Sequence, residues 1–245
     1  MAKGTLLYFV SDLHGSSLCF RKFVNATGVY KPTVLVLGGD VAGKAIQSIV
    51  KGPNGRWNCT FVGNRYELTE GSELAEMLDR APWGVHAEGK VVQLDDEHEM
   101  ISWGYANTTP WHTYREQDEQ QLAAAYAAMA DQLERPERAV FNLHPPPYAT
   151  QLDDAPALDD DLRVQAVLGQ VQYQAVGSTA VRDIEAERQP LVGLHGHIHE
   201  SSGIRRLGKR RGVILNPGSD YSTGALNGAL VSLHKDRADA QLVRG

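Results

Sequence analysis

Residues 5–14 read Thr5-Leu6-Leu7-Tyr8-Phe9-Val10-Ser11-Asp12-Leu13-His14, an apolar run that ends on two metal-ligand types two positions apart. A short continuous run of this kind suits a strand buried on both faces. Asp12 to Gly15 then turns into an amphipathic segment, Ser17 to Val24, closed by Gly28. Thr33 to Leu37 is a second apolar run, and it leads into Gly38-Gly39-Asp40, so a carboxylate again sits where a strand ends. Two successive strand–helix units of this type predict a parallel sheet.

Further along, Arg56 to Val62 reads as a strand, Ser72 to Arg80 as a helix, and Val91 to Leu94 with Met100 to Trp103 as a hairpin. Asp118 to Leu133 is the clearest helix, with Leu122, Tyr126, Met129 and Leu133 on one face of an alanine-rich body that stops before Pro136. Ala139 to Leu143 is a short strand ending at His144, and Pro145 to Asp161 reads as a long surface loop. Ser178 caps a helix running to Arg188. Leu191 to Leu194 then delivers His195-Gly196-His197-Ile198-His199, and the remainder reads as two or three antiparallel strands. With no repeat, low-complexity segment or linker, one domain over 1–245 is expected.

Composition narrows the function classes. The 245 residues are 42% hydrophobic and 22% charged, and no apolar run approaches the ~20 residues of a membrane span. Thr5 to Val10 is too short for a signal peptide. Cys19 and Cys59 are too few for a disulfide framework, which makes the reduced cytoplasm the expected compartment. The net charge of -6 argues against a general nucleic-acid surface. The basic cluster Arg205, Arg206, Lys209, Arg210 and Arg211 flanks a turn and reads as a solvated hairpin tip.

The chemistry collects at the strand ends. Asp12 and His14 follow the first strand, Asp40 the second, Asn64 the third, His144 a later one, and His197 and His199 the last. In parallel sheets the carboxyl ends of neighbouring strands open onto one crevice, so these residues converge. Mixed carboxylate, imidazole and amide donors suit Mn, Fe or Zn better than Mg or Ca.

At this point the chain resembles the calcineurin-like metallophosphoesterases, and within them a bacterial branch of phosphoesterases. Their ordered pattern is Asp-x-His, Gly-Asp, Gly-Asn-His-Asp/Glu, His and Gly-His-x-His. Four of the five motifs stand here in order: Asp12 with His14, Gly39-Asp40, His144, and Gly196 to His199. Asn216-Pro217-Gly218-Ser219 also resembles a turn of that superfamily. The resemblance implies an α/β fold, a four-layer αββα sandwich of two mixed β-sheets flanked by helices. It implies two divalent or trivalent transition-metal ions (Mn, Fe or Zn), one held by Asp12, His14, Asp40 and His199, the other by Asp40, His144, His197 and Asn64. Asp40 would bridge them, and a hydroxide between the ions would attack the phosphorus of a small-molecule phosphate mono- or diester.

The third motif departs from the pattern. Gly63-Asn64 is followed by Arg65-Tyr66-Glu67, so arginine replaces the family's histidine. Arg65 cannot act as a general acid near neutral pH, but it can hold a phosphate oxygen and stabilise developing charge. Two alternatives stay open: Asn64 is a ligand, or the third motif is missing and the chain is a binding or scaffold module with weak or no catalysis. His195 is expected to point away from His197 and His199 and to serve structurally. His86, His98 and His234 read as solvated surface. His112, on a loop with two aromatics, is a candidate for the border of a substrate pocket, and Gly177-Ser178-Thr179 for either an anion site or an ordinary cap.

Overall fold

A computed structural model describes residues 4–41, 84–210 and 212–245 in full, and between 42 and 83 only the backbone of residues 50–51, 57–61 and 64–68. The chain runs through β1 (Thr5–Val10), α1 (Ser17–Tyr30), β2 (Val34–Leu37), β3 (Val91–Gln93), β4 (Glu99–Trp103), α2 (Glu119–Ala130) and β5 (Val140–Leu143). It continues with α3 (Thr179–Arg188), β6 (Val192–Leu194), β7 (Gly203–Leu207), β8 (Gly212–Asn216), β9 (Asn227–His234) and β10 (Arg237–Arg244). Three short strand pairs and a three-stranded sheet of Val50–Lys51, Trp57–Phe61 and Asn64–Leu68 lie in the connections. The helix expected over Ser72 to Arg80 lies outside the described residues.

Two mixed sheets result. The first has the order β10-β9-β1-β2, with β1 and β2 parallel and the other pairs antiparallel. In the second, β7-β8-β6-β5-β4-β3, the four central strands are mutually parallel and antiparallel strands form both edges. Beyond His199 the chain supplies four strands rather than two or three, as two hairpins. One joins each sheet.

The period-two alternation of β1 shows how the layers form. Leu7 and Phe9 face the second sheet and pack with Val192, Leu194, Val213 and Leu215, while Tyr8 and Val10 face outward onto Cys19, Phe23 and Ala26 of α1. On β5, Val140 joins the layer between the sheets, and Phe141 and Leu143 lie under Leu122, Tyr126 and Met129 of α2 and Val181 and Ile184 of α3. The order of layers is therefore α1, first sheet, second sheet, α2 with α3. This is the four-layer αββα sandwich.

Local chemistry sets the helix ends. Asp118 caps α2 in a capping box with Gln121, and the stripe of Leu122, Tyr126 and Met129 is buried as its spacing requires. Ser178 caps α3, and Glu119 accepts from both the Ser178 hydroxyl and the Ala180 N–H, so a carboxylate already occupies that helix end. Of the two readings of residues 177–179, the structure takes the cap. Helix α1 does not close at Gly28. It runs on to Tyr30 and ends at Lys31, which adopts φ 50° and donates its N–H to Thr27. A Cβ at Gly28 would meet nothing within 4 Å. Gly28→Ala is accordingly expected to stabilise the protein by about 0.4–1 kcal/mol through the unfolded chain, read as a raised denaturant midpoint.

Two other expectations need correction. Pro145, Pro146 and Pro147, expected on a surface loop, are buried. The segment can be buried because prolines leave no N–H to satisfy, and the Pro146 carbonyl accepts from the Ser178 N–H and the Pro147 carbonyl from the Thr150 hydroxyl. His98, expected on the surface, is 3% exposed: its Nδ1 pairs with Asp95 and its Nε2 reaches the His234 carbonyl.

Candidate metal centre

The loops that follow β1, β2, β5 and β6 are tied together by their backbones. Asp12 N–H donates to Gly39, His14 N–H to Asp40 and Gly15 N–H to Val41, which prolongs the β1–β2 pairing past the strand ends. His144 N–H donates to Trp103, and Gly196 N–H donates to His144. Asn216 closes the last loop by donating to the Leu152, Gly196 and Ile198 carbonyls, and Ser219 Oγ donates to the Asp12 carbonyl. Asp12, His14, Asp40 and His197 all sit in the left-handed region, with φ of 56°, 44°, 49° and 66°. Such conformations cost about 1–2 kcal/mol each and persist where the surrounding structure over-determines them.

Six side chains converge as two groups. Asp12, His14 and His199 form one and Asp40, His144 and His197 the other, each with candidate ligand atoms within 4.8 Å of one another. Asp40 Oδ2 lies between the groups, 3.7 Å from His14 Nε2 and 3.6 Å from His144 Nε2. Asp12 Oδ1 is 3.3 Å from His199 Nε2 and 3.8 Å from His144 Nε2, and the His197 N–H donates to the Asp12 carboxylate. His14 Nε2 and His199 Nε2 are 3.0 Å apart, and Tyr221 packs on both rings.

The donors fit metal ions. His144 is buried, yet neither of its ring nitrogens makes a hydrogen bond. Its spacing from the two carboxylates is too long for a hydrogen bond but suits ligands that share an ion at about 2.1 Å. Carboxylate and imidazole are the donors that transition metals take.

The glycines of the motifs are steric requirements. A Cβ at Gly39 would lie 2.3 Å from His144 Nδ1, and one at Gly196 would lie 2.1 Å from Asp12 Oδ2. His195 points away from this centre. Its Nδ1 meets the Leu143 carbonyl at 2.8 Å, and its Nε2 lies 3.3 Å from Glu185 on α3, both side chains fully buried.

Of the other sequence candidates, Asn64 and Arg65 lie on the backbone strand Asn64–Leu68, paired with Phe61 and Thr60. Their side chains fall outside the described residues. His112 does not line the cavity beside Asp40, but Tyr114 and Arg115 of the same loop do. Arg115 and Tyr221 carried no sequence signal beyond the aromatic character of the Trp111 to Tyr114 loop. The hairpin tip at 208–210 is where the basic cluster was expected, with Arg211 outside the described residues.

Charge sets the protonation of the metal-free site. Burial would raise the Asp12 carboxyl, but the neighbouring His144 and the hydrogen bond from His199 outweigh it and hold it well below the usual carboxylate range. Burial would lower His144, but Asp12 and Asp40 overcome it and raise the imidazole above 6.5. Burial and the neighbouring His144 push His197 down to about 4. The unfolded chain therefore protonates His197 more readily, so stability rises with pH between about 4 and 6.5. The His144 contribution is complete below 6.5 and lost as the pH rises through its folded value. The thermal midpoint of chelator-treated protein is expected to peak near pH 6.5 and to fall on the alkaline side, as scanning calorimetry would show. Metal should abolish the alkaline fall, because coordinated imidazole is neutral. A metal-free midpoint still rising toward about pH 8 would contradict the His144 assignment.

No family model and no curated protein matches this chain. Solved structures do match its fold. The crystal structure of TT1561 of Thermus thermophilus aligns over 97% of this chain and 98% of its own, with a TM-score of 0.59 at 14% identity. A second crystal structure aligns over the same shares with a TM-score of 0.58 at 13% identity. A conserved uncharacterized protein of Streptococcus pneumoniae, described as a predicted phosphoesterase, spans 99% of both chains at 13% identity, but its TM-score of 0.38 is too loose to bear on function. Over nearly its whole length, then, this chain shares the fold of TT1561.

Proposed function

We propose that the protein is a metal-dependent phosphoesterase of the calcineurin-like class, built as one domain, that hydrolyses a phosphate mono- or diester at a dinuclear centre. The observation that carries this reading is the pair of three-residue ligand groups with Asp40 Oδ2 nearly equidistant from one imidazole of each. Asp12, His14, Asp40 and His199 would hold one ion, and Asp40, His144, His197 and Asn64 the other. When bound, two such ions would supply charge neutralisation at the phosphoryl oxygens and a water acidic enough to attack near neutral pH.

The chain's own residues do the rest. Asp40 places negative charge between the two groups, which reduces the repulsion of cations brought close together. The Asp12 carboxylate, pinned by the His197 N–H, orients the loop that carries His197 and His199. His144 is held by backbone bonds on both sides, and Arg65 would hold a phosphoryl oxygen. In the hydrolysis one water oxygen bonds to phosphorus, the ester P–O bond breaks, and the departing oxygen takes a proton.

No helix of the described residues is long and apolar enough to cross a membrane. A small-molecule ester in the cytoplasm is the proposed setting. The test is elemental analysis together with turnover of aryl phosphate esters in added manganese. Two ions per chain with metal-dependent hydrolysis is the expected result. Two ions without turnover of any ester would favour the binding or scaffold module instead.

A further inference from the structure

His195 and Glu185 meet in the interior between β6 and α3, and the proposed hydrolysis uses neither. Both side chains are fully buried. Glu185 Oε1 stands 3.3 Å from His195 Nε2, and neither carboxyl oxygen makes a hydrogen bond among the described residues. The strand leaves room for the pair: a Cβ at Gly193 of β6 would lie 2.3 Å from Glu185 Oε1 and 2.7 Å from His195 Nε2. A buried carboxyl facing an imidazole is a poor source of stability, since apolar side chains of similar volume commonly fill such a space without loss. The arrangement therefore points to a positional task.

The other ring nitrogen shows what is positioned. His195 Nδ1 lies 2.8 Å from the Leu143 carbonyl, the oxygen of the peptide that leads into His144. A carbonyl only accepts, so Nδ1 carries a proton and Nε2 is the nitrogen turned to the carboxyl. The His195 backbone N–H donates to Leu215, and the N–H of the following Gly196 donates to the His144 carbonyl. His195 thus stands where the loop carrying His144 crosses the loop carrying His197, and those two imidazoles share one ligand group with Asp40. The other group depends on it less. Asp12 and His14 stand on the loop after β1, tied by their backbones to Gly39 and Asp40, and only His199 comes from the loop that His195 begins.

We propose that His195 and Glu185 are positioning residues for the group of Asp40, His144 and His197. Glu185 fixes the His195 imidazole, and His195 fixes the peptide between Leu143 and His144, so that His144 and His197 meet one ion. The inference rests on the dinuclear reading and adds to it the residues that hold the second site in shape. A partner behind a metal-ligating group is worth about 10–100-fold in metal affinity. His195 acts through a peptide rather than on a ligand's own ring, so the lower end, about tenfold, is expected.

The test is calorimetric titration of the metal-free protein with cobalt(II), with the visible cobalt spectrum and the thermal midpoint recorded alongside. The binding step that His144→Ala abolishes marks the second group. Replacing both partners, His195→Leu with Glu185→Leu, leaves no charge buried alone, so the protein should stay folded. Its second step should nevertheless weaken about tenfold while the first stays near wild type. With Glu185→Leu in place, His195→Asn puts an amide N–H where Nδ1 stood and should restore the second step. His195→Gln carries its amide farther out, toward the place of Nε2, and should not. With His195 kept, Glu185→Gln should bind near wild type and Glu185→Leu should fall between wild type and the double-leucine protein. A pair that serves stability alone would shift the midpoint without a loss confined to one step. Wild-type affinity for both ions in the folded double-leucine protein, or equal second-step affinity with His195→Asn and His195→Gln, would overturn the positioning role and leave the dinuclear reading standing. Should the double-leucine protein not fold, the comparison of His195→Asn with His195→Gln decides alone. A wild type with no second step overturns the dinuclear reading, and this inference with it.

Discussion

Replacement of Asp40 by asparagine is expected to lower ester turnover by on the order of 10³-fold and to reduce metal content at both positions, because preorganised charge in a site of this kind is worth about 10²–10³ per group. The geometry makes Asp40 the informative carboxylate. Its Oδ2 faces one imidazole from each group, and its side chain is 33% exposed, so an amide there leaves no buried donor stranded. The Asp12 side chain is 2% exposed and also accepts the His197 N–H, so Asp12→Asn would mix a folding defect with a functional one. Elemental analysis, kinetics and a thermal midpoint on Asp40→Asn separate these effects. Two firmly held ions with turnover near wild type would show that Asp40 is not shared, and would shift the bridging role to Asp12, whose Oδ1 also reaches both groups.

Gly39→Ala is the second large effect. The added methyl would sit 2.3 Å from His144 Nδ1 against a buried ring with no room to swing, so His144 must move off its position. Overpacking of this kind costs about 1–3 kcal/mol of stability. The functional loss should be larger, near that of Asp40→Asn, since a ligand displaced by about 1 Å no longer meets the ion its neighbours hold. The expected signature is loss of one of two metals, with the protein still folded at room temperature. Gly28→Ala, with open space around its new methyl, is the matched control. Retention of both ions and of activity in Gly39→Ala would mean that His144 is not a ligand.

Much of this candidate site was legible in the chain because the candidate ligands stand beside features that are local in sequence. Thr5 to Val10 and Val140 to Leu143 are apolar runs whose ends can be read directly, and a buried strand that stops at Asp12 or His144 places that residue at a sheet edge whatever its neighbours are. The stripe of α2 was legible for the same reason: helical periodicity needs only the residues of the helix itself. By contrast, Gly28 looked like a helix end and was not, because a single glycine costs a helix less than the packing of Phe23 and Ala26 against β1 returns.

What the chain does not carry locally is which distant segments meet. The partition into two sheets depends on β9 pairing with β1 and β8 with β6, contacts between residues far apart in sequence. The glycines of Gly39-Asp40 and Gly196 to His199 can be seen as letters of a motif, but their reason, a side chain from another strand within 2.3 Å, exists only in the folded molecule. His98 looked like surface because the His234 carbonyl that covers it is 136 residues away. Arg115 was invisible as a cleft residue for the same reason, since its partner Glu88 and the end of β2 arrive from elsewhere in the chain. Where the strands stop, and which ligand types stand at their ends, follows from the residue order alone, because burial and periodicity are properties of short segments. Which of those ends face each other, and what kind of cavity they enclose, is settled only in the folded chain, because that depends on pairing and packing between segments that share no local signal.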